Sequence, residues 1–216
     1  MTFQQLKQQC PYWQDYINHP FVQQLRQGTL PLANFRYYLQ QDYLFLLQFT
    51  RTWGLAVYKS DNLADMRAAQ QGINAMLDQE IQLHIQYCQQ YGVTEQQLQQ
   101  LEEHPACIAY TRYVLDCGLT GTLTELHTAL APCILGYAEI GKQAATQSPA
   151  NNPYQSWIDM YASQDYQTAA QQAENTLNRL LAQPHQQNKI QQIFNTAVRM
   201  EIAFWQMGLE NKVEEE

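Results

Sequence analysis

Two carboxylates and one cysteine occupy positions where helical spacing calls for apolar residues. Asp42 is bracketed at three and four residues on either side by Tyr38, Leu39, Phe45 and Leu46, so a helix carrying them turns the carboxylate toward the core. Glu201 repeats the arrangement among Ala197, Val198, Phe204 and Trp205. A carboxylate withdrawn from water is costly unless it is paired. Two of them, far apart in sequence, have the chemistry of an acid and a base or of a ligand clamp, because burial tunes their proton affinity. A hydrogen-bonded structural role is the competing reading of each. Cys133 follows Pro132 and shares a face with Ala129, Leu130 and Tyr137. A buried cysteine is ordinarily inert packing, but a proline within a helix bends it, frees a carbonyl and opens the helix beside the thiol. Tyr137, with Tyr110 and Tyr161 from other segments, adds flat surface and hydroxyls; each alone would read as core.

A metal centre is the main rival chemistry, since helical bundles hold paired irons through E-x-x-H motifs on two helices. No pair here has that spacing. Glu80 and His84 share a face four residues apart, and the spacing favours a structural pair. The other histidines are His19, His104, His127 and His185. His19 is conceivable as a haem ligand, yet no basic cluster marks a propionate site. The expectation is no metal and no cofactor.

The elements that must position these residues are helical almost throughout. Residues 3–27 hold one or two short helices around Asn18-His19-Pro20, ending at Gly28. Pro31 opens a long helix to about Lys59, and a second long pattern runs from Met66 through Ile73, Leu77 and Tyr87 to Gly92. Capping boxes are legible at Thr94 to Gln97 and at Thr122 to Glu125. Pro105 opens a helix ending at Gly118, Asn152-Pro153 caps another, and Ser163 to Asp165 starts one through Leu181. The last covers about His185 to Glu210. No period-two segment, internal repeat or linker is present, so the fold class is all-α, a bundle of about eight to ten helices. Residues 1–211 are expected to form a single domain and residues 212–216 an acidic, solvated tail.

Composition agrees. With 216 residues, about 70% of the unfolded surface can be buried, and 9 Gly and 8 Pro are too few for a turn-dense sandwich. The net charge of −8 without a Lys/Arg cluster disfavours nucleic acid as a partner. No apolar run reaches signal-peptide or membrane-span length, so a cytoplasmic protein away from the membrane is expected. Five cysteines without a C-x-x-C pair suit reduced thiols. Gln is abundant, 35 residues often in pairs, but the pairs interleave with apolar residues at helical spacing and read as uncharged helix surface.

Taken in order, His19-Pro20-Phe21, Phe35 to Tyr43, Leu130-Ala-Pro-Cys133 through Gly136-Tyr137 to Gly141, Trp157 to Ser163, and Glu201-Ile-Ala-Phe204-Trp205 are specific. Over nearly the whole chain the sequence resembles TenA, or thiaminase II, of the haem-oxygenase-like all-α superfamily, in its cysteine-containing class. The resemblance implies an aminopyrimidine aminohydrolase that takes 4-amino-5-aminomethyl-2-methylpyrimidine to the hydroxymethyl pyrimidine and ammonia, in thiamin salvage, and splits thiamin. It implies Cys133 as nucleophile, Glu201 as acid/base and Asp42 as an anchor for the pyrimidine nitrogens, with Tyr110, Tyr137, Tyr161 and Phe204 enclosing the ring. Phe45 stands where members often carry a tyrosine whose hydroxyl lies near the cysteine. A homotetramer is likewise implied. The alternatives are a non-catalytic pyrimidine-binding or regulatory protein, and a different haem-oxygenase-like oxidase, for which several cavity His and Arg residues would be expected.

Overall fold

A computed structural model describes residues 1–210; residue 211 and the expected acidic tail at 212–216 lie outside the described residues. The described residues form α-helices and no strand: α1 (Phe3–Gln9), α2 (Trp13–Ile17), α3 (Pro20–Gln27), α4 (Leu32–Lys59), α5 (Leu63–Asn74), α6 (Ile81–Gln90), α7 (Glu95–Leu98), α8 (Pro105–Thr120), α9 (Leu123–Ala131), α10 (Tyr137–Gln147), α11 (Gln155–Ala162), α12 (Gln164–Leu181) and α13 (Gln187–Glu210). Two further segments wind as π-helix, Ala75–Glu80 between α5 and α6 and Pro132–Gly136 between α9 and α10. The all-α expectation holds. The helices outnumber the expected eight to ten because π segments divide two of the long patterns and residues 3–27 hold three short helices where one or two were expected.

Local chemistry explains most of the ends. Gly28 (φ 72°) and Gly92 (φ 79°) take the left-handed conformation that stops α3 and follows α6. Thr94 and Gln97 close the expected capping box on α7, Thr122 and Glu125 close theirs on α9, and the Ser163 hydroxyl accepts from the Tyr166 amide at the start of α12. Gly118 does not end its helix. α8 runs on to Thr120, and Gly118 serves a close approach instead: a Cβ there would fall 2.6 Å from Leu55 and 2.9 Å from Leu126. Nor does Asn152 cap a helix directly. Its amide donates to the carbonyls of Leu25 and Arg26 and its Oδ1 accepts from the Tyr154 amide, so α11 begins only at Gln155.

The chain divides into two compact units. One holds residues 1–30 and 127–206, and aromatic rings fill its core. Trp13 stacks on Phe194 (5.7 Å, 17°), Phe21 on Trp205 (5.1 Å, 17°), and Tyr137 meets both Trp205 (5.1 Å) and Tyr161 (4.9 Å). Such pairs add roughly 0.5–1.5 kcal/mol each beyond the area they bury.

The other unit holds residues 31–126 and 207–210. Its axis is the 28-residue α4, against which α5, α6 and α8 pack. Gly72 lets α5 rest on the Trp53 ring, only 2.4 Å from where a Cβ would stand. The Asn34 amide donates to the carbonyls of Gly208 (3.0 Å) and Leu209 (2.7 Å), and Lys59 Nζ to the Gly121 carbonyl (2.8 Å). No described helix is long and apolar enough to cross a membrane.

Candidate functional site

Asp42 lies in the middle of α4 and is 4% exposed. Its Oδ2 accepts two hydrogen bonds, from the Tyr38 hydroxyl one turn earlier (3.0 Å) and from His84 Nε2 on α6 (2.6 Å). His84 is fully buried, and its other ring nitrogen, Nδ1, lies 2.8 Å from the Glu80 backbone carbonyl. The pairing of Glu80 with His84 expected from their spacing thus runs through the main chain, and the free edge of the imidazole goes to the carboxylate singled out from the sequence. Desolvation pulls the His84 pKa down, but the charge and hydrogen bond of Asp42, helped by Glu80, outweigh it and raise the ring above 6.5. Glu80 is half-buried, and desolvation pushes its carboxyl up to about 7 against the pull of His84, with the charge of Asp42 adding to the rise.

Phe45 follows Asp42 by one turn on the same stripe. Its ring meets Phe49 at 5.1 Å and Tyr110 of α8 at 5.1 Å, so three of the expected residues, Asp42, Phe45 and Tyr110, belong to this unit.

The other unit carries Cys133, Tyr137, Tyr161, Glu201 and Phe204. Cys133 sits second in the Pro132–Gly136 π segment, so Pro132 marks a widened turn where a bend was expected. Of five thiols, Cys133 alone is half-buried; Cys10, Cys88, Cys107 and Cys117 are buried. Burial raises the pKa of Cys10 and Cys107 and pushes Cys88 up to about 12, which keeps these thiols protonated. The π segment is held at both ends by a residue that periodicity did not mark. The Tyr16 hydroxyl donates to the Pro132 carbonyl at 3.0 Å, and the Tyr16 ring occupies the space beside Gly136.

Tyr137 starts α10 directly after this segment and touches Tyr161 of α11. Glu201 (2% exposed) and Phe204 (2%) lie one turn apart on α13, next to the Trp205 that packs on Tyr137. His19 spends both ring nitrogens: Nδ1 accepts from the Phe21 amide and Nε2 pairs with Gln206 Oε1 at 3.1 Å. Burial lowers its pKa, partly offset by Gln206. Among the described residues no group of three or more His, Cys, Asp or Glu side chains is arranged to hold a metal ion.

Residues 6–211 match the TENA/THI-4/PQQC family. The chain belongs to that family. A Haemophilus influenzae protein is 51% identical over 97% of this chain and 99% of its own. The aminopyrimidine aminohydrolase of Helicobacter pylori is 34% identical over 92% of this chain and 94% of its own. A TenA family transcription regulator from Silicibacter sp. TM1040 matches in structure with a TM-score of 0.92 and 39% identity, over 97% of this chain and 96% of its own. A Shewanella denitrificans domain with a haem oxygenase-like fold matches with a TM-score of 0.70 at 13% identity, over 95% and 91% of the two chains. The TenA chain therefore has the haem-oxygenase-like bundle that its sequence suggested.

Proposed function

We propose that this TenA protein is a cysteine-dependent aminopyrimidine aminohydrolase, acting on 4-amino-5-aminomethyl-2-methylpyrimidine in thiamin salvage. The observation that carries the reading is Cys133: the one half-buried thiol, on a π turn, in a chain 34% identical to an aminopyrimidine aminohydrolase along nearly its whole length. In this reading the Cys133 thiolate adds to an electron-poor carbon of the ring. Aromaticity is lost, and the electron pair expels the amine from the exocyclic methylene while Glu201 gives the leaving nitrogen its proton. Water then adds to the methylene, its proton returns to Glu201, and expulsion of the thiolate restores the ring. The sum is aminomethyl pyrimidine plus water to hydroxymethyl pyrimidine plus ammonia. Asp42 anchors the ring nitrogens, and Phe45, Tyr110, Tyr137, Tyr161 and Phe204 enclose the ring. The carry-over from the resemblance extends to thiamin cleavage, a cytoplasmic location and a homotetramer.

Ammonia release from the aminomethyl pyrimidine, with and without a thiol reagent, tests the proposal. Release that the reagent abolishes is the expected result; no release from any of a panel of aminopyrimidines refutes it. The likeness to a TenA family transcription regulator favours a regulatory second reading, which expects saturable pyrimidine binding and no ammonia.

A further inference from the structure

The Asp42–His84 pair carries a constraint that neither residue shows alone. Both nitrogens of the His84 ring face oxygen acceptors, the Glu80 carbonyl at 2.8 Å and Asp42 Oδ2 at 2.6 Å. A neutral imidazole has one N–H and one lone pair, so beside an ionised Asp42 a neutral ring would set a lone pair against an acceptor in one of these contacts. The imidazolium satisfies both, with Asp42 as the carboxylate. The Tyr38 hydroxyl uses the same Oδ2, and among the described residues no hydrogen bond goes to Oδ1. One oxygen of the carboxylate is saturated and the other is left for something else.

We propose that His84 is a positioning residue for Asp42: as an imidazolium it pins Oδ2, together with Tyr38, and so presents an anionic Oδ1 to an N–H of the pyrimidine. The proposal rests on the reading of Asp42 as the pyrimidine anchor. The surroundings support it. The titratable groups that act on the pair are Glu80 and Cys88 on the His84 side, Tyr38 on α4 and Cys107 on α8, with Arg36 of α4 acting on Cys88. Cys88 and Cys107 stay protonated through neutrality. Glu80 ionises near 7 and, once charged, raises the proton affinity of His84 further, so the imidazolium persists above the pH at which an ordinary histidine would release it.

Two arms separate this proposal from the reading it rests on. In the first, nitrogen-15 NMR of the wild-type protein at neutral pH is expected to show both nitrogens of the His84 ring protonated. In the second, calorimetry follows binding of the hydroxymethyl pyrimidine, the reaction product, to the wild-type protein, His84→Gln and His84→Leu across a pH series. Losing a charge-assisted bond to a buried carboxylate should weaken binding about tenfold or more in His84→Leu and about threefold in His84→Gln, which keeps a neutral donor. The ratio of wild-type to His84→Gln affinity cancels the titration of the ligand itself, and it should fall as pH rises through the His84 pKa. If His84→Leu does not fold, His84→Gln and the wild-type NMR still decide. A singly protonated ring at neutral pH, or variants with the wild-type affinity and pH profile, overturns the clamp while leaving the proposed function standing. Failure of the wild-type protein to bind the pyrimidine overturns the proposed function and the purpose of the clamp together, whatever the NMR shows.

Discussion

Tyr16 fixes both ends of the turn that carries Cys133: its hydroxyl donates to the Pro132 carbonyl at 3.0 Å, and a Cβ on Gly136 would lie 2.3 Å from its ring. The π turn thereby gains a side-chain hydrogen bond at its first residue, and the absent side chain of Gly136 makes room for the ring that supplies it. Tyr16→Phe should cost about 0.5–1.5 kcal/mol from the lost buried hydrogen bond. Gly136→Ala, which drives a methyl into the ring, should cost about 1–3 kcal/mol. Both should lower turnover by more than the lost folded fraction explains. Urea denaturation with turnover at a temperature where each variant is folded checks this, and full activity in both would deny the π turn a role in placing the thiol.

Cys133→Ser should fold normally and release no ammonia, since a serine hydroxyl is a far weaker nucleophile than a thiolate. Iodoacetamide should label Cys133 first, because burial keeps the Cys10, Cys88 and Cys107 thiols protonated. Mass spectrometry of the labelled protein, alongside the ammonia assay, reads both effects. Turnover near wild type in the serine variant would remove the nucleophile.

The two buried carboxylates should fail in different ways. Asp42→Asn should weaken pyrimidine binding about tenfold or more, whereas Glu201→Gln should bind normally and lose about 100-fold or more in single-turnover rate. Matching losses of affinity and rate in the two variants would mean that the roles are wrongly divided.

Glu80 and His84 should make the native state less stable as pH rises. Glu80 ionises at 4.5 in the unfolded chain and near 7 in the folded one, so its contribution is complete below 4.5 and lost through about 7. The loss is on the order of 3 kcal/mol. His84, raised above 6.5 in the folded state, acts in the same direction at higher pH. Glu80→Gln should therefore flatten the stability profile between about pH 4.5 and 7 relative to wild type. Chemical denaturation across that range measures it, and parallel profiles would show that Glu80 titrates normally.

Much of this was legible from local pattern. Caps and stops depend on a few neighbouring residues, so Thr94, Ser163 and Gly28 could be read directly, and Asp42 stood out as a charge on an apolar stripe. His84 was harder. One of its acceptors is a backbone carbonyl and the other lies 42 residues earlier on a different helix, and periodicity says nothing about the facing helix. Gly118 misled for a related reason: a glycine needed for close approach looks the same in sequence as one that ends a helix. The aromatic residues were expected as site or core, and Tyr137 with Tyr161, and Phe45 with Tyr110, are in ring contact.

The π turn at Pro132–Gly136 also sets a phase. Each residue of an α-helix advances the side-chain direction by about 100°, and a π turn absorbs one extra residue without ending the helix. Shortening the chain by a single residue here, at Ile134 for example, would let α9 run straight into α10 and rotate every later position of that helix by about a quarter turn. Tyr137 would swing away from Tyr161 and Trp205, and Gly141, which lets the helix approach Tyr161, would turn with it. Length in this stretch thus constrains the fold more tightly than side-chain identity: another apolar residue at Ile134 or Leu135 should leave the aromatic wall in place, whereas the loss of one residue should require that wall to be rebuilt.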